Sequence, residues 1–322
     1  MIGLAYWAET SIKVGLAAVV VPTGAAVAVY LFLFKLISFM QSRLGPMEAG
    51  PHGTLQLVAE VGKWLQKEDI IPDNADKTLF KLPPFIILAT TFLMFVVIPA
   101  GPTAVVSSLP VGIFYILAVS SISVIGILIA GWASANKYAL IGGIRAAGQL
   151  IAYELPMILA VVGVVIQAGT LNMQEIVYQQ SGGEIFGLDW IGNPYILTQF
   201  VGFIIFLVAI QAELGQTPFD MPVAESEVVG GYLVEYTGIR FLVFFLSEFA
   251  GAVGFSAIAA TLFLGGWALP DAWGIPRGLM HVIGPIVLLT KAMALTALDL
   301  IDQPDTLAVI KQEFESSLAK RQ

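Results

Sequence analysis

The stretch LPVGIFYILAVSSISVIGILIA, Leu109–Ala130, contains no Asp, Glu, Lys or Arg from end to end. As a helix rising 1.5 Å per residue it is long enough to cross ~30 Å of hydrocarbon. A helix is required because lipid offers an open backbone no hydrogen-bond partner. Working outward, further apolar runs read as spans at Val14–Leu36, Pro83–Ala100, Ile151–Ala168, Tyr195–Ala212, Phe241–Leu264 and Leu279–Leu300. The expected fold is all-α: a polytopic transmembrane helical bundle of about seven spans. Residues 1–300 form a single integral membrane domain and 301–322 a polar tail.

Composition agrees. Charged residues make up 12% of the chain and hydrophobic residues 57%, with a mean hydropathy of +0.86. Soluble domains carry about 25% charged residues, so that class is excluded. A net charge of −8 argues against nucleic acid as a partner. With no cysteine, the chain can form no disulfide and ligate no iron–sulfur cluster through thiolates. The first apolar run, after Lys13, is followed by no small-residue cleavage pattern and reads as a retained span.

Charge asymmetry sets the orientation. Lys35 lies at the inner end of the first span, Arg43, Lys63, Lys67, Lys77 and Lys81 between the first two spans, Lys137 and Arg145 between the third and fourth, and Lys311, Lys320 and Arg321 in the tail. The alternate connections, Gly101–Ser108 and Gly169–Pro194, contain no Lys or Arg. Basic connections face the cytoplasm, which puts the N-terminus outside and the tail inside. Within the first inside connection, Thr54–Lys67 places Leu57, Val58, Val61, Trp64 and Leu65 on one helical face and Gln56, Glu60, Lys63 and Lys67 on the other. Too short to span, it reads as an interfacial helix with its tryptophan at headgroup depth. Pro83-Pro84 is expected to open the next span.

The connection AELGQTPFDMPVAESEVVGGYLVEY, Ala212–Tyr236, gathers Glu213, Asp220, Glu225, Glu227 and Glu235 among Phe219, Met221, Val223, Val228, Val229 and Tyr232. One reading is a solvated acidic loop. The other is a group of carboxylates held in apolar surroundings, which favour protonation and allow proton exchange. Arg240 is spaced to pair with Glu235 or with the turn at Tyr236. Glu154 falls at the start of the fourth span, as an interfacial group or a relay. Glu248 and Lys291 fall inside spans, as a buried pair or as relay groups. Asp299 and Asp302 read as solvated. Arg43, Lys137 and Arg145 share the membrane face of the acidic loop, as anchors or as cations completing a buried network with it. His52 and His281 stand alone and read as structural, so no metal site is expected. GPMEAGPHG follows no strand and is followed by no GK[ST], which excludes a phosphate loop.

Three strings carry a resemblance: QSRLGPMEAGPHGTLQLVAEVGKWLQKEDIIP (Gln41–Pro72), AGWASANKYALIGGIRAAGQLIAYE (Ala130–Glu154) and AELGQTPFDMPVAESEVVGGYLVEYTGIRFLVFFLSEF (Ala212–Phe249). In order and spacing they resemble the three cytoplasmic segments of the H subunit of proton-pumping NADH:quinone oxidoreductase, the respiratory complex I family that includes mitochondrial NADH dehydrogenase subunit 1. The resemblance implies a multi-pass plasma-membrane subunit contacting the membrane and hydrophilic arms of a larger complex. It implies quinone as substrate, ubiquinone or menaquinone, with FMN and iron–sulfur clusters in partner subunits and nothing bound covalently here. It implies that Gln41, Arg43, Trp64, Lys137, Arg145 and Phe219 border a quinone chamber. It further implies that Glu154, Glu213, Asp220, Glu225, Glu227, Glu235 and Glu248 form an acidic path coupling quinone reduction to proton translocation. Arg43 matches the arginine of Q-x-R-x-G-P and Arg145 that of L-R-x-x-A-Q; Glu154 and Glu248 match the glutamates of S-Y-E and A-E-Y.

The chain departs from the family at Lys35, at Met47, at Gly215-Gln216-Thr217, and after Lys291, where an eighth span is replaced by DLIDQPDTLAVIKQEFESSLAKRQ. The alternative is the homologous component of a membrane-bound hydrogenase or a coenzyme F420-type oxidoreductase. A stand-alone transporter would show inverted repeats, and none is visible.

Overall fold

A computed structural model describes residues 35–183 and 192–301. The expected first span, the N-terminus and the tail after Ile301 lie outside the described residues. All regular structure among the described residues is helical. The helices are α1 (Gln56–Gln66), α2 (Lys77–Met94), α3 (Gly112–Ala133), α4 (Lys137–Ala168), α5 (Met173–Ser181), α6 (Tyr195–Thr198), α7 (Phe200–Glu213), α8 (Glu225–Val228), α9 (Gly238–Phe263) and α10 (Arg277–Ile301). α2, α3, α4, α9 and Gly278–Thr296 of α10 are long and apolar enough to cross a membrane. α2 packs on α3, α3 on α4 and α4 on α7, while α9 packs against α2 and α10. Met157, Ile176, Phe206, Ile210, Leu262 and Phe263 are fully buried at the centre. Ile151, Leu155, Leu159 and Ile166 point outward from α4, as expected of a helix facing lipid or another subunit rather than water.

The helix bounds correct several expectations. α2 begins at Lys77 rather than at the prolines, because Asp76 caps it by accepting from the Thr78 and Leu79 amides at 3.0 Å each. Pro83 and Pro84 therefore sit within its second turn and leave carbonyls behind them without their usual donors. The Tyr236 hydroxyl donates to the Phe80 carbonyl at 3.2 Å, supplying the bond that Pro84 cannot make. α2 stops at Met94, where the chain tightens: the Phe95 and Val96 amides donate to the Phe92 and Leu93 carbonyls, each at 3.2 Å.

α4 starts at Lys137, well before the expected Ile151, with Asn136 accepting from the Tyr138 amide at 2.8 Å. Its 32 residues reach ~48 Å at 1.5 Å per residue, more than the membrane needs. The expected fifth span is divided. α6 is a single turn whose first amide is taken by Gln180 Oε1 at 3.2 Å. α7 has 14 residues, ~21 Å by the same rise. The amphipathic helix expected within Thr54–Lys67 is present as α1. Trp64 stacks on Phe241 of α9 with centroids 4.7 Å apart, while Val58 and Leu65 stay exposed.

Candidate functional site: a carboxylate-lined cavity

Between α2, α3, α4, α7 and α9 lies a cavity of about 100 Å3. Its polar lining is Glu213, Glu248, Thr90, Thr91, Ser120, Ser123, Ser247 and Tyr232. Glu213 is the last residue of α7 and Glu248 lies near the middle of α9, so the packing of two helices brings together carboxylates far apart in sequence. One oxygen of Glu213, Oε2, is buried without a protein partner. The Thr90 and Thr91 hydroxyls each donate to the Ile87 carbonyl at 2.9 Å, Ser120 to Leu117 at 3.0 Å and Ser247 to Val243 at 2.8 Å. Their hydrogens are spent on helix carbonyls, so their free lone pairs are acceptors. A space of this size, with these polar groups on an otherwise apolar wall, is large enough for a few waters.

Glu154 adjoins this group. It lies inside α4 rather than at a span's start, because the helix begins so much earlier. Its Oε1 accepts a hydrogen bond from Ser121 of α3, and it is near enough for its charge to act on Glu213. Tyr232, on a 3-10 turn at Gly231–Leu233, has its pKa raised, first by burial and then by the charge of Glu248. It is therefore a neutral donor across the physiological range.

The rest of the acidic loop rests on the outer surface of α4. Gln149 donates from Nε2 to the Ala212 and Phe219 carbonyls, each at 2.8 Å. Phe219 meets Tyr153 edge-on at 5.2 Å. Gly142 lets the loop approach: a Cβ there would stand 2.4 Å from Gly231 Cα and 2.9 Å from the Pro222 carbonyl oxygen. Glu225 and Glu227 sit exposed on the single turn α8. Glu227 pairs with Arg145 of α4. Asp220 is half-buried, and Glu235 accepts from Asn136 Nδ2 at 2.5 Å.

Three expected pairings are corrected. Arg240 bridges to Asp69 at 2.9 Å instead of Glu235, and its guanidinium lies 5.4 Å from the Phe80 ring. Asp69 is reachable because Thr237, at the entry of α9, already holds the chain after α1: its hydroxyl donates to the Glu68 carbonyl at 3.2 Å and accepts from the Ile70 amide at 3.1 Å. Lys291 does not meet Glu248. Its ammonium donates to the carbonyls of Leu264, Gly266 and Ala268 at 2.7, 2.8 and 3.3 Å, at the far end of α9. The cations do not enter a buried network with the carboxylates. Arg145 meets its partner at the surface, Lys137 is exposed 5.4 Å over the Tyr138 ring, and Arg43 is exposed with Nε donating to Gln41 Oε1 at 2.5 Å. Trp64 lies beneath Lys67, whose ammonium stands 3.9 Å from the ring centroid. Gln41, Arg43, Trp64, Lys137, Arg145 and Phe219 all lie outside the cavity lining.

Sequence reasoning missed Ser121, Tyr232 and Gln149 as contributors to the site. A glutamine within an otherwise apolar helical run was the available signal for Gln149.

A family model described as NADH dehydrogenase matches residues 12–301. The chain is 47% identical over 240 residues to the H subunit of NADH-quinone oxidoreductase from Brevibacillus brevis, covering 74% of this chain and 68% of that protein. It is 49% identical over 234 residues to the protein of the same name from Bacillus mycoides, covering 72% and 67%. The Bacillus thuringiensis subsp. konkukian counterpart is 48% identical over the same length and shares.

Proposed function

The chain belongs to the NADH dehydrogenase family, and on that premise we propose that it is the membrane subunit of a proton-translocating NADH:quinone oxidoreductase. Its place is a bacterial plasma membrane, where it borders the quinone site and carries the acidic path that couples quinone reduction to proton movement. NADH oxidation and electron transfer through FMN and iron–sulfur clusters belong to partner subunits. Quinone reduction takes up two electrons and two protons to give quinol.

The observation that carries this reading is the shared cavity of Glu213 and Glu248, with Glu154 alongside. Carboxylates on separate helices around a space fit for water can pass protons without large side-chain movements. A change of charge at the quinone site changes which of them is protonated. Glu225 and Glu227 stand on the loop that Gln149 and Gly142 hold against α4. That loop is the physical link from the cytoplasmic surface to the cavity, because the same segment ends at Tyr232 on the cavity wall. Exposed Leu44, Leu55, Val58 and Leu65, beside Gln41, Arg43 and Trp64, give a lipid-soluble head group an apolar approach edged with cations.

The test is Glu213→Gln and Glu248→Gln in the assembled complex, with NADH:quinone turnover and proton translocation both measured in vesicles. The expected result is loss of most coupled turnover and of proton uptake, with the electron-input activity toward a soluble acceptor retained. Unchanged protons moved per NADH in both variants would overturn the proposal.

A further inference from the structure

α2 divides into two faces. Phe80, Pro83, Pro84, Thr90, Thr91 and Met94 are buried against the bundle, while Lys77, Thr78, Lys81, Leu82 and Phe85 are exposed and line one open hollow of about 440 Å3. Their spacing, one helical turn apart, stacks them along a single stripe. Lys77 opens this span-length helix, next to the polar stretch Asp73–Asp76. Lys81 lies about 6 Å deeper and Phe85 about 12 Å deeper at 1.5 Å per residue. Phe85 is 69% exposed and Leu82 43% exposed. Among the described residues neither lysine takes part in an ion pair. The nearest carboxylate in sequence, Asp76, is engaged with the Thr78 and Leu79 amides. Asp73 faces a different hollow, with Asn136, Lys137 and Glu235.

We infer that this stripe is a binding site for one acidic phospholipid of the leaflet on the basic side of the membrane. Its phosphate lies between the Lys77 and Lys81 ammonium groups, with Thr78 as an additional donor, and an acyl chain follows Leu82 and Phe85 inward. Charge selects the acidic class: two unpaired cations favour a headgroup with net negative charge over a zwitterion, by about fivefold in affinity per lysine near an anionic surface. Depth selects a lipid over a soluble phosphate, because the apolar half of the stripe begins where the lysines end. Long lysine side chains reach the headgroup level while their stems cover apolar surface. The site lies on the face of α2 opposite the carboxylate cavity and does not depend on the reading of that cavity.

The test uses the complete complex purified in mild detergent and reconstituted into nanodiscs of phosphatidylcholine containing a minor fraction of phosphatidylglycerol. Retained lipid is counted by native mass spectrometry. The expected result is one fewer retained phosphatidylglycerol in the Lys77→Gln, Lys81→Gln double variant, its return in Lys77→Arg, Lys81→Arg, and no displacement by inorganic phosphate. Equal phosphatidylglycerol retention in the wild-type and Gln variants would overturn the inference. So would loss of a partner protein from the Gln variant without loss of lipid, since that would show a partner helix covering this face.

Discussion

At the scale of single residues, the site is a matter of which polar groups are already satisfied. Glu213 Oε2 has no protein partner, whereas Glu227 and Glu235 have one each. In the proposed function, proton exchange belongs to the former kind and positioning to the latter. Gln149 is the clearest positioning residue, because one amide holds two loop carbonyls. Gln149→Leu leaves the Phe219 carbonyl without its donor and the Ala212 carbonyl with the Gly215 amide, at 3.3 Å, at a cost of ~1–3 kcal/mol for a carbonyl left unpaired and buried. The expected outcome is a raised KM for quinone and a lower denaturation temperature of the complex, read by inhibitor-sensitive turnover and a thermal scan. Ser121→Ala removes a hydrogen-bond partner of Glu154 and is expected to lower coupled turnover while leaving assembly intact, as measured by proton translocation in vesicles and native gels. The carboxylates were legible in the sequence because charge in so apolar a chain stands out. The hydroxyls were not. Ser120, Ser121 and Ser123 sit in an apolar run, and only the rotation of α3 decides which of them meets the cavity.

Among the elements, helix ends carry the information that periodicity hides. α2 and α4 begin earlier than their apolar runs because Asp76 and Asn136 cap them. Hydropathy marks the part of a helix in lipid and is blind to the part that extends beyond it, so it puts Glu154 at a boundary when the residue lies within a helix. At the other end of the bundle, α9 finishes against a lysine. The ammonium of Lys291 lies where the last carbonyls of a helix concentrate negative partial charge. Lys291→Met removes three hydrogen bonds at once and is expected to lower the yield of assembled complex more than Lys291→Arg, as judged by native gels of membranes. The contact between α4 and the acidic loop is equally exacting. Gly142→Ala drives a methyl group into Gly231 and Pro222. It is expected to displace the loop and reduce quinone-dependent turnover severalfold or more, while electron input to a soluble acceptor persists. No pattern in the sequence singles out Gly142 among the chain's glycines; only the approach of a loop more than 70 residues later gives it a reason.

For the whole molecule, the distribution of charge across the membrane is the property that ties fold to function. The paired or capped charges of the connections — Asp69 with Arg240, Arg145 with Glu227, Asn136 with Glu235 — lie with α1, α8 and the start of α4. The opposite connections are held by neutral amides and by the Lys291 ammonium on the carbonyls that follow α9. Gln174 donates to the Gly101 and Pro102 carbonyls at 3.3 and 3.1 Å. Gln180 donates to Thr261 at 3.0 Å and accepts from the Gly265 amide at 2.9 Å. The sidedness expected from Lys and Arg rests on the energetic penalty for translocating them, which acts on sequence rather than on packing. The number of helices that span was less legible, since α7 is too short by itself and its apolar composition conceals the break at Gln199. The sidedness can be measured directly, because the chain has no cysteine and single ones can be added without background. Asp73→Cys and Glu225→Cys, both exposed on the basic side, are expected to react with a membrane-impermeant maleimide in inside-out vesicles and to be protected in right-side-out vesicles. Gln179→Cys, exposed on α5, is expected to show the reverse. Labelling of Glu225→Cys and Gln179→Cys from the same side would contradict the arrangement, and with it the proposed placement of the acidic loop on the side where electrons arrive at quinone.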